Sequence, residues 1–126
     1  MAYGDLGGPV TELVLTCKTL SSGPITIAPG DAVKLAGPYT VDNATAADDP
    51  VFGQALAAAS VNGQAVPIKV RGVCLFAYTG AAPTINGVAG IAASDVDGKV
   101  KAPSSGNGTG INLKVDTGAS LVHVLL

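Results

Sequence analysis

The stretch Val66-Pro67-Ile68-Lys69-Val70-Arg71 decides the fold. Its apolar residues Val66, Ile68 and Val70 alternate with a proline and two basic residues, and a period of two is typical of a strand with one buried face. Because Pro67 has no N–H to donate to a neighbouring strand, we expect this position to lie at a sheet edge or at a bulge. The stretch therefore predicts a half-buried β-strand.

Strand signals continue on both sides of this stretch. The dipeptide Asn62-Gly63 favours the positive φ values of a tight hairpin turn, which would join it to a strand over residues 56–61. The same alternation occurs at residues 11–17 and 111–116, and it predicts these inward-facing side chains: Leu13, Leu15, Cys17, Ile111, Leu113 and Val115. Further strands are predicted over residues 24–27, 32–35, 73–76, 88–92, 99–101 and 121–126, with turns at Asp97-Gly98 and Thr117-Gly118.

Residues 49–59 carry the best helix signal in the chain. Asp49 can cap a helix, and Pro50 suits its first position. Gly53 interrupts the segment, however, and the Asn-Gly turn that follows favours a pair of strands. Since turn signals recur about every 8 to 12 residues around short aliphatic strands, the sequence predicts an all-β fold, a small compact barrel or sandwich with little or no helix.

The composition excludes several classes of protein. The chain has 126 residues, with 7 basic and 9 acidic side chains and a net charge of −2. Since the basic residues are scattered and outnumbered, we do not expect it to bind nucleic acid. Neither a secretory leader nor a membrane-spanning run of about 20 apolar residues is evident, so Cys17 and Cys74 are expected to remain thiols. Aromatic residues make up only 4%, which argues against a ring-lined small-molecule pocket.

Residues 1–10 differ in character from residues 11–126, which we expect to form a single β-domain. Four of the first nine residues are glycine or proline, and no regular period is present. Tyr3, Leu6 and Val10 are apolar side chains in this segment. An extended arm that docks onto another chain fits the pattern, and so does a frayed terminus.

Two motifs with aspartate resemble functional signatures. Asp116-Thr117-Gly118 matches the signature of aspartic proteases, whose paired aspartates share a proton. Only eight residues follow Gly118, so a flap and a second apolar-Gly element cannot follow, and we expect a turn between two strands. Asp95-Val96-Asp97-Gly98 resembles the start of a calcium loop, but Lys99 stands where a third oxygen ligand belongs.

The remaining polar candidates also favour structural roles. Gly106, Gly108 and Gly110 lack the Lys-Ser/Thr of a phosphate loop and precede a strand rather than a helix. The pair Asp48-Asp49 has no partner acid or base nearby in sequence, which favours a capping or surface role. His123 is the sole imidazole, so neither a triad nor a familiar zinc site can be assembled. We therefore expect no catalytic residues, no metal, no cofactor and no enzymatic activity.

A set of segments occurs in a recognisable order between residues 30 and 126. They are Gly30-Asp31-Ala32-Val33, Gly53-Gln54-Ala55, residues 66–73, Asp97-Gly98-Lys99-Val100 and residues 121–126. This order resembles the small head decoration, or cement, proteins of tailed bacteriophages. The chain departs from that family in a long polar tip at residues 104–110, and in lacking a clear second Gly-x-Ala segment before Ile111.

The resemblance implies a β-tulip-like, non-enzymatic protein made in the host cytoplasm and located on the outer surface of the virion. It implies binding to the major capsid protein of the mature head, as a homotrimer, with cross-linking of neighbouring subunits. Neither nucleic acid nor a membrane would be a partner. We expect the arm residues Tyr3, Leu6 and Val10 to contact the capsid.

A virion-surface adhesin or carbohydrate-binding β-module is the alternative. Its ligand contacts would lie in the loops around Tyr39, Tyr78 and Asn107. Sugars usually stack on aromatic faces, and the chain has no Trp and three Tyr. The sequence therefore favours the decoration protein.

Overall fold

A computed structural model describes residues 12–126, and over that range the predicted all-β fold is confirmed, with strands and no helix. The proposed arm, including Tyr3, Leu6 and Val10, lies outside the described residues. Among the described residues, no helix is long and apolar enough to cross a membrane.

The ten strands of the described range follow one another through turns and loops. They are β1 (Leu13–Thr19), β2 (Ala32–Gly37), β3 (Thr40–Asp42), β4 (Gly53–Ala55), β5 (Ala65–Arg71), β6 (Val73–Ala77), β7 (Ala92–Ala93), β8 (Val100–Lys101), β9 (Ile111–Asp116) and β10 (Leu121–Leu125).

Five strands form a closed barrel in the order β1-β3-β2-β4-β5. The decisive stretch lies in β5, which pairs antiparallel with β1 on one side and with β4 on the other. As predicted, Val66, Ile68 and Val70 are buried, with exposed fractions of 0%, 0% and 4%. They pack in the barrel core with aliphatic and small side chains: Cys17, Ile25, Ile27, Val33, Val41, Ala55 and Ala59.

Pro67 lies within the barrel wall, where the β4–β5 ladder ends. The N–H of Leu56, the first residue beyond β4, donates to the Pro67 carbonyl at 3.0 Å. Because the N–H and C=O of one residue point to the same side of a strand, the missing donor of Pro67 also faces Leu56. The sequence prediction of a sheet edge or a bulge is therefore corrected to the end of the β4–β5 ladder, inside a closed wall.

The second half of the chain builds a smaller module around its own core. A three-stranded sheet has the order β6-β10-β9, and β7 pairs with β8. The buried side chains of this second core are Val51, Cys74, Phe76, Tyr78, Ile91, Ala93, Val100, Val122, Val124 and, from β2, Ala32. β2 therefore contributes a side chain to each core, Val33 to the barrel core and Ala32 to the second core.

Side chains from the barrel satisfy the backbone of β6 on the side away from β10. The Gln54 amide donates to the carbonyl of Leu75 at 2.6 Å and to that of Gly30 at 3.2 Å. The Lys69 ammonium donates to the carbonyl of Val73 at 2.7 Å. Two polar side chains thus occupy positions that a neighbouring strand would otherwise fill.

Several predicted strands are shorter than the sequence indicated. Residues 56–61 do not form a strand, because Ala59 exchanges two hydrogen bonds of 3.0 Å with Ile27 instead, and residues 24–27 contribute only this isolated bridge. Residues 88–92 likewise reduce to an Ile91–Thr109 bridge and the start of β7. The Asn62-Gly63 turn is confirmed, with Gly63 at φ +71°.

The helix signal at residues 49–59 produces no helix. Gly53–Ala55 forms β4, and the carboxylate of Asp49 accepts the N–H of Ala46 at 2.9 Å. The aspartate therefore caps the turn that precedes it instead of a helix that follows it.

The face predicted for β9 is wrong, because this strand contains a bulge. Ile111 and Leu113 are 38% and 47% exposed, whereas Asn112 is buried at 2%. Along β10 the partners step from His123–Lys114 directly to Val124–Asn112, so Leu113 is the extra residue. One inserted residue reverses the alternation, which leaves Val115 half-buried against the second core.

Replacing Gly53 with alanine should destabilise the barrel, because a Cβ there would lie 2.6 Å from the Lys69 carbonyl oxygen and 2.7 Å from Ile68 Cγ2. We expect Gly53→Ala to lower the free energy of unfolding by about 1–3 kcal/mol, measured by urea denaturation. Gly37→Ala is the matched control, since its Cβ would meet nothing closer than Thr40 Cβ at 3.6 Å. Equal stability of the two variants would contradict this account.

Candidate functional site

The barrel closes over a short ladder between β1 and β3. These strands are parallel and pair only at Lys18–Thr40 and Thr19–Val41. Within residues 12–126, no strand pairs with residues 13–17 on the side of β1 that faces away from β5. The barrel wall therefore has an open seam along the first part of β1.

An apolar groove, which we call the seam groove, lies in this opening. It has a volume of about 290 Å³ and is lined by Leu15, Leu35, Pro38, Tyr39 and Phe52. Its residues come from β1, from the β2–β3 hairpin and from the residue before β4, so only the closed barrel brings them together. A concave apolar lining of this kind fits an apolar side chain of another segment.

The β2–β3 hairpin presents Tyr39 at the mouth of the seam groove. Tyr39 has φ +49°, a conformation that L-residues rarely adopt, and its carbonyl accepts the N–H of Lys18 at 2.8 Å. The Thr40 hydroxyl also donates to the Pro38 carbonyl at 3.0 Å. This hydrogen bonding fixes the hairpin to β1 and leaves Tyr39 69% exposed.

The apolar surface extends beyond the groove along β1. Leu13, predicted to face inward, is 48% exposed, and Val14 and Leu35 are 43% and 53% exposed. The prediction for Leu13 is wrong because the seam leaves no described strand to cover it. A second cleft of about 600 Å³ adjoins the groove, shares Leu35 and Phe52 with it, and carries the Lys34–Asp49 ion pair of 3.1 Å.

A polar cluster around Asp48 anchors the tip at residues 104–110. Its carboxylate accepts hydrogen bonds from Lys101 Nζ at 2.7 Å, from the Ser104 N–H at 2.9 Å and from the Ser104 hydroxyl at 2.7 Å. These contacts, led by the Lys101 hydrogen bond, lower the pKa of Asp48 from 3.8 to about 2. The pKa of Asp49 is also lowered, mainly by the hydrogen bond from the Ala46 N–H and to a smaller extent by the hydrogen bond from Lys34. Both carboxylates thus hold loops in place.

The protease-like and calcium-like motifs form turns. Asp116 is exposed between β9 and β10 and accepts the Ala119 N–H at 3.1 Å. Asp97 and Gly98 form the turn before β8, with Gly98 at φ +76°. Over residues 12–126, no group of three or more His, Cys, Asp or Glu side chains is placed to hold a metal ion.

The remaining titratable candidates are distributed through the two cores. Cys17 and Cys74 are buried free thiols, one in each core, and burial raises the pKa of both. His123 is half-buried on β10 and alternates with the buried Val122 and Val124. The structure does not bring these side chains into one site.

The residues of the carbohydrate alternative are not assembled either. Tyr39 is exposed at the seam groove, whereas Tyr78 is 8% exposed and packs in the second core. Asn107 lies in the exposed tip, beside the cleft that Asp48 and Ser104 line. The buried ring of Tyr78 offers no free face for a sugar.

The groove residues Leu35, Pro38 and Phe52 were not identified from the sequence. The available signal was Gly37-Pro38-Tyr39-Thr40, whose glycine and proline indicate a turn that exposes a tyrosine. Compared with models of known protein families and with curated proteins, the chain matches none.

Asp48→Asn should change how stability depends on pH. Because folding lowers the pKa of Asp48, its ionised form stabilises the fold above pH 4 and that contribution is lost as pH falls towards 2. Asparagine tolerates the φ of +71° found at Asp48, so the backbone is kept. We expect the stability difference from wild type to be largest above pH 4 and to vanish near pH 2, measured by urea denaturation across that range.

Asp97→Asn is the matched control, since Asp97 is an exposed aspartate in a turn. Its stability curve should run parallel to that of the wild type. A difference for Asp48→Asn that stays constant from pH 6 to pH 2 would contradict the assigned role of the carboxylate.

Proposed function

We propose that this chain is a capsid decoration protein of a tailed bacteriophage. It binds the exterior of the mature head and stabilises it by cross-linking major capsid protein subunits, and it acts by binding without catalysis. The observation that carries the proposal is the seam groove, an apolar groove beside a strand edge that no strand within residues 12–126 pairs with.

The chemistry of the groove suits a protein partner. Its lining is almost entirely apolar, and Leu35 and Tyr39 at its rim are more than half exposed. Burial of apolar surface contributes about 25 cal/mol per Å², and an unpaired strand edge adds directional backbone hydrogen bonds to an extended segment. Together these features favour a chain over a small polar ligand.

The proposed arm precedes β1 in the sequence, and β1 is the strand that borders the open seam. Glu12, the first described residue, pairs with Lys69 at 2.8 Å and so fixes the start of β1. Tyr3, Leu6 and Val10 precede it in the sequence and are the proposed capsid contacts. Because Leu15 of β1 lines the seam groove, an arm that continues from the start of β1 would allow the arm and the groove to contact the same capsid surface.

Many copies on one shell would make a modest affinity sufficient. A ligand that binds only the mature head stabilises it by about 2.7 kcal/mol per site at a hundredfold excess over its dissociation constant. A homotrimer near local threefold positions, as the resemblance implies, would multiply the contacts of each particle. The proposed location is the outer surface of the virion.

Co-sedimentation with phage heads tests the proposal. Wild-type protein should sediment with expanded heads of the phage whose genome encodes the chain, and should not sediment with unexpanded heads. Deletion of residues 1–9 should abolish binding while the thermal unfolding transition of the free protein stays nearly unchanged. Failure of the wild type to bind any head would refute the function, and equal binding by the truncated protein would refute the arm assignment.

The contribution of the groove is tested by the double variant Leu35→Thr/Tyr39→Asn. Asparagine again suits the positive φ of residue 39, so the hairpin is kept while the apolar rim is lost. We expect binding to heads to weaken about tenfold or more, which corresponds to about 1.4 kcal/mol. Val61→Ser, at a residue that is 63% exposed and outside the groove lining, should bind as the wild type does.

A further inference from the structure

The open edge of β1 has a defined hydrogen-bonding pattern. The N–H of Thr19 donates to Gln64 on the β5 side, and the N–H of Lys18 donates to Tyr39 on the β3 side. Since successive residues of a strand point their backbone groups to opposite sides, Val14 and Thr16 face the same way as Lys18. Their backbone groups therefore point into the seam, away from β5.

Within the part of the chain that the structure describes, this edge lacks the features that protect other strand edges. The free side of β6 is covered by the Gln54 and Lys69 side chains, and β9 is interrupted by its bulge at Leu113. Along residues 13–17 there is no charged side chain and no proline, and the bulge opposite Leu13 and Val14 lies in β5. An unprotected, apolar strand edge is a template for pairing with another chain.

The open edge of β1 has opposite charges at its two ends, and a twofold axis would bring them together in pairs. Glu12 and Lys18 are both exposed and lie equally far from Leu15 in sequence. A second β1 that runs antiparallel about a twofold axis at Leu15 would place Glu12 opposite the partner's Lys18. The same register places Val14 opposite the partner's Thr16, so that the outward backbone groups face each other as an antiparallel ladder requires.

We propose that two copies of this chain pair along the open edge of β1, antiparallel and with a twofold axis at Leu15. The contact goes beyond the capsid decoration function and does not depend on it. Leu13 and Leu15 of the partner subunit lie on the face of the new strand that turns towards the seam groove. The pairing thereby covers Leu13, which is 48% exposed in the single chain.

The symmetry of this contact has a direct consequence for assembly. A twofold contact uses the same surface on both copies, so it closes after two copies and cannot by itself build a threefold ring. The trimer implied by the family resemblance needs a different surface. If both contacts form, β1 pairing links one trimer to the next, and the assembly contains an even number of chains.

Charge exchange in the full-length chain tests the register. Glu12→Lys and Lys18→Glu each replace two attractions across the twofold axis with two repulsions, so each should raise the dimer dissociation constant about tenfold. The double variant Glu12→Lys/Lys18→Glu restores opposite charges and should return close to the wild-type value. The double variant also lacks the Glu12–Lys69 ion pair within each chain. Recovery of the wild-type dissociation constant would therefore show that the charge contact between the two copies, and not this internal ion pair, determines the affinity. Sedimentation velocity over a concentration series measures the constants.

Hydrogen exchange on the same samples identifies the surface. The amide protons of Val14 and Thr16 should become protected as protein concentration rises, whereas those of Leu15 and Cys17, which face β5, should stay protected throughout. A monomer at every concentration would overturn the proposal, and so would an oligomer that forms without protecting Val14 and Thr16. Protection of both amides that is independent of concentration would also overturn it, because residues 1–11 of the same chain would then cover the edge.

The two proposals fail separately. A monomeric chain that still co-sediments with expanded heads refutes the pairing and leaves the decoration function. A dimer that binds no phage head refutes the decoration function and leaves the pairing of two copies.

Discussion

A β-barrel is complete only when its first and last strands satisfy each other's backbone groups, and here that closure depends on two residue pairs between β1 and β3. The long antiparallel contact between β1 and β5 holds the other side of β1 firmly. Because the closing ladder is so short, none of the described strands pairs with residues 13–17 on that side, and apolar side chains of the barrel wall are exposed there. The seam groove, the exposure of Leu13 and both proposed contacts follow from this geometry.

The rest of the molecule shows that such an opening is not a general property of this fold. The β6 edge faces the barrel and is satisfied by an amide and an ammonium group, while β9 carries a bulge and charged residues. Burying Gln54 costs little because its amide nitrogen donates to two carbonyls. Among the described strands, the edge of β1 is therefore the position at which pairing with a second polypeptide would satisfy the most backbone groups.

The sequence predicted those features that depend on a single strand, and it did not predict those that depend on how several strands pair. The faces of β5 were predictable, since Val66, Ile68 and Val70 follow an unbroken period of two. The face of β9 was not, because the bulge at Leu113 is a property of its pairing with β10. The seam groove could not be predicted from the sequence either, because Leu15, Leu35 and Phe52 are far apart in the chain and come together only when the barrel closes. The arm residues lie outside the described range.

The placement of the two cysteines has a practical consequence. One thiol lies in each core, with Cys17 2% and Cys74 1% exposed, so neither reacts until its own surroundings open. Their labelling rates in native conditions therefore report separately on opening of the barrel and of the β6-β10-β9 module. Labelling of the two thiols thus distinguishes whether the two halves of the chain open together or one after the other.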